Sequence, residues 1–198
     1  MQKRKTLGTV LVVLGLVGLA LAILFGAVRG NAIRVIEDEV LDLGDLVEHG
    51  EDHAKQLAEI LAVGEAYEFA EIEGGGTKKY YFVVDEHFNY IVRMTEGTAK
   101  RLEDSGEMLI TGVTREFTSD LREVAVDWME SENSENEITL DNFRAYFGNV
   151  WLDATASTTE LTPELNAAIY TSLGVGIVLV VAGAILLVKS RKPETDTE

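Results

Sequence analysis

Lys79-Tyr-Tyr-Phe-Val-Val84 and Asn89-Tyr-Ile-Val-Arg-Met94, within the stretch KYYFVVDEHFNYIVRM (residues 79–94), decide how this chain folds. Both runs are rich in aromatic and β-branched residues, which suit the pleated, half-buried surface of a sheet. The linker Asp85-Glu-His-Phe88 is short enough to turn the second run back beside the first. The pattern predicts a β-hairpin.

Outward from the hairpin, the same logic places further elements. Upstream, Ala66-Tyr-Glu-Phe-Ala-Glu-Ile72 alternates acids with bulkier residues, and Gly74-Gly75-Gly76 turns the chain towards the hairpin. Downstream, Thr98 to Asp104 predicts a short helix and Glu107 to Thr114 a strand. Ser119 as a cap, Asp120 in the first turn, and Leu121, Val124, Ala125, Trp128 and Met129 at helical spacing predict the clearest helix. Thr139 caps another helix carrying Leu140, Phe143, Tyr146 and Phe147, which stops at Gly148; Asn149 to Asp153 reads as a final strand. The order predicts an α+β domain over residues 65–153, with a five-stranded antiparallel sheet. A helix between the third and fourth strands makes it OB-like. A plain antiparallel sheet with helices on one face fits the same order.

Before this domain, Ile33, Ile36, Val40, Leu43 and Val47 recur on one helical face. After a break at His49-Gly50, Ala54, Leu57, Ala58, Ile60 and Leu61 form a second amphipathic stretch ending at Gly64. Residues 29–64 are therefore expected to be a helical juxtamembrane segment. Residues 154–166, rich in Thr, read as a polar tether.

Two uncharged apolar runs bracket these elements, Thr6 to Val28 and Ala167 to Val188. At 1.5 Å per residue each spans roughly 33–35 Å, enough for a bilayer core of about 30 Å. A buried core helix seldom runs so long without a charge, so both are read as transmembrane helices. Lys3, Arg4 and Lys5 precede the first run, and Lys189, Arg191 and Lys192 follow the second. The positive-inside rule then puts residues 1–5 and 189–198 in the cytoplasm of a cell-membrane protein, with 29–166 outside. Arg29 and Arg34 depart mildly from that rule. Ala20-Leu21-Ala22 resembles a signal-peptide cleavage site, but the apolar run is longer than such signals use, so an uncleaved anchor is expected. Leu161-Thr-Pro-Glu-Leu165 lacks the residue order of a cell-wall sorting signal.

The outer segment, 29–166, holds 11 basic and 31 acidic residues, a formal charge of −20. Such a field repels nucleic acid and attracts cations and basic partners, while also serving solubility or a salty habitat. With no cysteine, the chain has neither a disulfide nor a thiolate ligand or nucleophile.

Little else points to chemistry. Glu130-Ser-Glu-Asn-Ser-Glu-Asn-Glu-Ile-Thr-Leu-Asp-Asn-Phe143 resembles a calcium loop, with Glu130, Glu132 and Asp141 as weak divalent-cation ligands. No register supplies both the central Gly and the terminal Glu of a calcium hand, so a solvated acidic turn is the competing reading. His49 and His53 are four residues apart, a spacing zinc sites use on a helix, but Gly50 interrupts and no third ligand is evident. The triple Gly lacks the Lys-Ser/Thr of a phosphate loop, and no nucleophile elbow occurs. No catalytic residue and no bound cofactor is assigned. In the spans, Gly18, Ala22 and Gly26, and Ala168, Ser172 and Gly176, are four apart, a spacing that permits close helix packing within or between chains.

This layout resembles that of two-span bacterial membrane proteins of the Gram-positive type that carry one extracytoplasmic domain. The resemblance implies architecture only and carries no functional residue. The expected function is a non-enzymatic, membrane-anchored binding or accessory protein, its partners the lipid bilayer and a protein or second copy met through the spans. An envelope cation-binding or sensing module and a membrane-bound hydrolase are the alternatives.

Overall fold

The computed structural model describes residues 2–71, 78–85, 87–131 and 138–190. They form two compact units, Val35–Leu161 and the two chain-terminal segments that flank it. Gly74 to Gly76 and residues 132–137 of the acidic loop, with Glu132, lie outside the described residues.

The terminal unit is a pair of long helices, α1 (Gln2–Asp38, its last residues belonging to the other unit) and α6 (Pro163–Lys189), both long and apolar enough to cross a membrane. Contacts between them run in opposite directions, so the pair is antiparallel. A Cβ on Gly8 would lie 3.0 Å from the Gly183 carbonyl oxygen, and one on Gly15 would lie 2.7 Å from that of Gly176. Gly18 faces Ser172 and Gly176, and Ala22 is buried. The seam follows a seven-residue repeat, Gly8, Gly15 and Ala22 against Gly176 and Gly183, the spacing of antiparallel knobs-and-holes packing. Gly26, expected on that seam, has nothing within 4 Å of its added Cβ.

Val35–Leu161 is an α+β unit built on a six-stranded mixed sheet. In chain order come β1 (Leu41–Asp42), α2 (Leu43–His49), β2 (Leu57–Glu71), β3 (Lys78–Val84), β4 (Asn89–Thr95), α3 (Glu96–Ser105), β5 (Glu107–Glu116), α4 (Ser119–Ser131), α5 (Phe143–Phe147) and β6 (Val150–Asp153). The hairpin of β3 and β4 has the antiparallel register Phe82↔Ile91 that its apolar runs predict. The expected five antiparallel strands give way to six in a mixed sheet, because β1 pairs with β2 in parallel and β6 pairs with β4 in parallel.

One long strand closes the sheet on itself. The first half of β2 pairs with β5, Leu57↔Val113 through Val63↔Glu107, and its second half pairs with β3. Between the halves Gly64 takes a left-handed φ of +82°, and the register shifts between Val63 and Tyr67 and again between Glu68 and Ala70. Such irregularities bend and twist a strand, which lets one strand serve two neighbours. The pairings then run β2-β3-β4-β6-β5 and back to β2. This bent strand also corrects the expected second helix of the 29–64 segment. Ala58, Ile60 and Ala62 point into the core at period two, while Leu61 is exposed.

Successive residues of the ring strands serve two cores, so these strands read as continuous apolar runs. Tyr81, Val83, Tyr90, Val92, Met94 and Leu152 join one cluster, completed by Leu43 and Leu46 of α2 and Ala99 and Leu102 of α3. Phe82, Ile91 and Trp151 point to the other face and pack under Leu121 and Ala125 of α4 and Phe143 and Phe147 of α5. Stacking of Phe69 on Phe82 at 4.1 Å and of Phe82 against Trp128 at 4.9 Å ties strands to helix.

Candidate functional site

Helices α4 and α5 each bring one arginine to a cleft of about 200 Å³. Its floor is the loop before β2, and its walls are the end of β5 and the start of β6. The loop is held from below by Thr114, a fully buried residue of β5. The Thr114 hydroxyl donates to the His53 carbonyl at 2.6 Å and accepts from the Gln56 N–H at 2.9 Å. Lys55 is the only non-glycine described residue with positive φ, and its N–H donates to the Thr114 carbonyl at 2.8 Å.

Asp52 is 1% exposed and is the fixed point of the cleft. Its Oδ1 accepts from Asn149 Nδ2 at 2.8 Å, and its Oδ2 accepts from the Asn149 backbone N–H. A buried carboxylate needs such donors, because an unpaired one would cost several kcal/mol. The chain can approach this closely only through Gly148, which has φ +69° and whose added Cβ would lie 2.7 Å from Asp52 Oδ2. Phe117 packs edge-on against Phe143 at 5.0 Å and fixes α5 against the end of β5.

Arg122 of α4 and Arg144 of α5 line the cleft beside His53 and Glu116. The Arg122 Nε is buried, and it finds no hydrogen-bond partner among the described residues. Neither arginine makes an ion pair among the described residues, although this unit holds 9 basic and 30 acidic residues. Its other arginines are engaged. Arg93 Nη2 meets Asp153 Oδ2 at 2.9 Å, Arg115 pairs with Asp153 and Glu160, and Arg101 contacts the Thr98 hydroxyl. Hydrogen bonding to Arg115 holds Glu160 below the usual carboxylate range. A guanidinium presents five donors in a planar fork that matches carboxylate and phosphate oxygens.

A second polar cluster is closed by its own bonds. The Tyr90 hydroxyl donates to Asp85 Oδ2 at 2.6 Å, and burial, followed by that bond, raises its pKa well above the ordinary phenol value. Asp85 Oδ1 accepts from the His87 and Phe88 N–H groups, shaping the hairpin turn.

The residues singled out from sequence are dispersed. Glu130 is exposed near the end of α4, Asp141 is exposed just before α5, and Glu132 lies outside the described residues. His49 ends α2, where its Nδ1 is 2.8 Å from the Asp45 carbonyl oxygen; that bond and the nearby Glu48 and Glu51 raise its pKa. Gly50 then leaves the helix in the left-handed region, so His53 is not one turn further along the same face but lies at the cleft. Among the described residues no three His, Cys, Asp or Glu side chains are grouped to hold a metal ion. Two expected caps also move, by one and by three residues. Thr118 accepts from the Leu121 N–H where Ser119 was expected to cap α4, and Asn142 rather than Thr139 precedes α5.

Sequence reading missed Asp52, Arg122, Arg144 and Asn149, which come from three separate stretches of the chain. The available signal was scarcity: arginines on helices in a strongly acidic unit. Compared with protein-family models, with curated proteins and with solved structures, the chain matches none.

Proposed function

We propose that this chain is a non-enzymatic, membrane-anchored binding protein whose Val35–Leu161 unit is displayed outside the cell. In this reading α1 and α6 are the spans, both termini are cytoplasmic, and the lipid bilayer is the first partner. The observation that carries it is lateral exposure. Only 11% of the most apolar window of each helix is buried, whereas the core helix of a soluble domain is mostly buried. The basic residues flanking the spans supply the orientation.

The ring of β2, β3, β4, β6 and β5, with α3 between its third and fourth strands, supports an OB-type barrel as the display scaffold. The cleft beside it favours binding over catalysis. Its lining has no hydroxyl, thiol or amine nucleophile, and its distinguishing groups are guanidinium donors. The acidic surface of the unit discourages nucleic acid as the partner.

The absence of cysteine makes the test clean. Lys100→Cys and Lys5→Cys are expressed separately and exposed in intact cells to a membrane-impermeant maleimide. Lys100→Cys should label at once, and Lys5→Cys only after lysis. Labelling of Lys5→Cys in intact cells, with Lys100→Cys protected, would invert the topology and sink the proposal.

A further inference from the structure

The cleft identifies the chemistry of its ligand. We infer that it binds a small oxyanion, a carboxylate or phosphate, held by Arg122 and Arg144; this rests on the binding role proposed above.

Three observations converge. First, Arg122 Nε is buried without an acceptor among the described residues, and a buried donor left unsatisfied is costly. Second, Arg144 lines the same cleft from a different helix, so two arginines border one space. Third, acidic residues outnumber basic ones more than threefold in this unit, yet none among the described residues pairs with either fork. Asp52 makes no ion pair with either among the described residues, and its oxygens accept from Asn149. That bond also holds the start of β6 in place, which keeps the cleft preformed.

Size and charge narrow the ligand. A volume of about 200 Å³ is below the roughly 300–1,000 Å³ of sites for drug-sized molecules, so it admits a small ion or one end of a larger molecule. The surrounding acidic field disfavours anions in general. An anion that binds here must therefore do so through directed hydrogen bonds, which two planar forks supply and diffuse attraction does not.

The test uses the full-length protein in detergent micelles at low chloride, with inorganic phosphate and acetate as separate probes. Screening of an acidic surface raises stability with any salt, so choline chloride at matched ionic strength is the reference. At ten times its dissociation constant, at least one probe should raise the unfolding midpoint by roughly 3–6 °C above that reference. Which probe acts distinguishes phosphate from carboxylate as the recognised group. Arg144→Gln changes an exposed side chain and should leave the midpoint without probe unchanged, while weakening the probe at least about tenfold. Lys100→Gln, outside the cleft, should leave the shift intact. The inference is overturned if neither probe exceeds the choline chloride reference, or if Arg144→Gln retains the full shift. Either failure leaves the labelling pattern of Lys100→Cys and Lys5→Cys untouched, so the anion site and the outward display stand or fall separately.

Discussion

Two pairs of arginines flank the same small ring of strands, and their surroundings differ in one respect. Arg93 on β4 and Arg115 on β5 converge on Asp153, which is 1% exposed and also accepts from the N–H and hydroxyl of Thr155. Arg93 further lies over the Trp151 ring at 5.7 Å, and Arg115 reaches Glu160. Every charge there has an answer within the chain. Arg122 and Arg144 converge on a cleft whose one buried carboxylate is already bound to Asn149. The first pair closes the sheet; the second leaves a buried donor, Arg122 Nε, without an acceptor among the described residues. The lesson is that an arginine's role is read from what its neighbours have left unused, not from its presence.

The largest break in that comparison is at the closed pair. Asp153→Ala leaves Arg93 without its carboxylate and Arg115 with Glu160 alone. Because both arginines are a quarter to a third exposed, the loss should fall at the low end for a broken buried pair, about 3 kcal/mol. Urea unfolding of the full chain in micelles measures it, and an unchanged midpoint would show that the Asp153 network is not structural. The helix pair offers a matched contrast. Gly15→Val drives a Cβ to within 2.6 Å of Val180 Cγ2, and should loosen the pair by about 1–3 kcal/mol. Gly26→Val meets open space and should cost nothing comparable. Cross-linking yield between cysteines placed on the two helices separates these outcomes.

Smaller effects sharpen the open pair. Gly148→Ala puts a methyl 2.7 Å from Asp52 Oδ2 at a left-handed φ, and should destabilise by about 1–3 kcal/mol. It should also widen the cleft and weaken phosphate or acetate there. Unaltered anion affinity in a destabilised variant would detach Asp52 from the site. The smallest effect belongs to Glu160. Its pKa is lowered in the folded chain, so its contribution is present above the unfolded value, near pH ~4.3, and lost as pH falls through the folded one. Its side chain is 48% exposed, so solvent screening keeps the effect below about 1 kcal/mol. Glu160→Gln should therefore lower stability slightly at neutral pH, leave it unchanged in strong acid, and so flatten the acid limb of the stability curve.

How far the sequence discloses this arrangement depends on the range of the interactions. The hairpin of β3 and β4, with α3 and α4, is legible because strand propensity, helical period and turn chemistry all act within a few residues. Strand β2 is not. Ala54, Leu57, Ala58, Ile60 and Leu61 mimic a helical face, since small residues satisfy a tight ring interior and a helix equally well. What decides is pairing with β5 some fifty residues later, together with the bend at Gly64. In the helix pair the small residues are visible, but their true repeat of seven is seen only once Gly8 and Gly15 meet Gly183 and Gly176. The cleft is the least legible part. Asp52 and Asn149 are 97 residues apart, and Arg122 and Arg144 stand on separate helices with no motif joining them.

The contrast between the two arginine pairs is tested most directly by the Nε–Hε signals of 15N-labelled full-length protein in micelles, titrated with phosphate and then acetate. The account predicts that the Arg122 signal moves saturably with at least one of them, while Arg93 and Arg115 respond no more than they do to choline chloride. A still Arg122, or equal movement of all three, would contradict it.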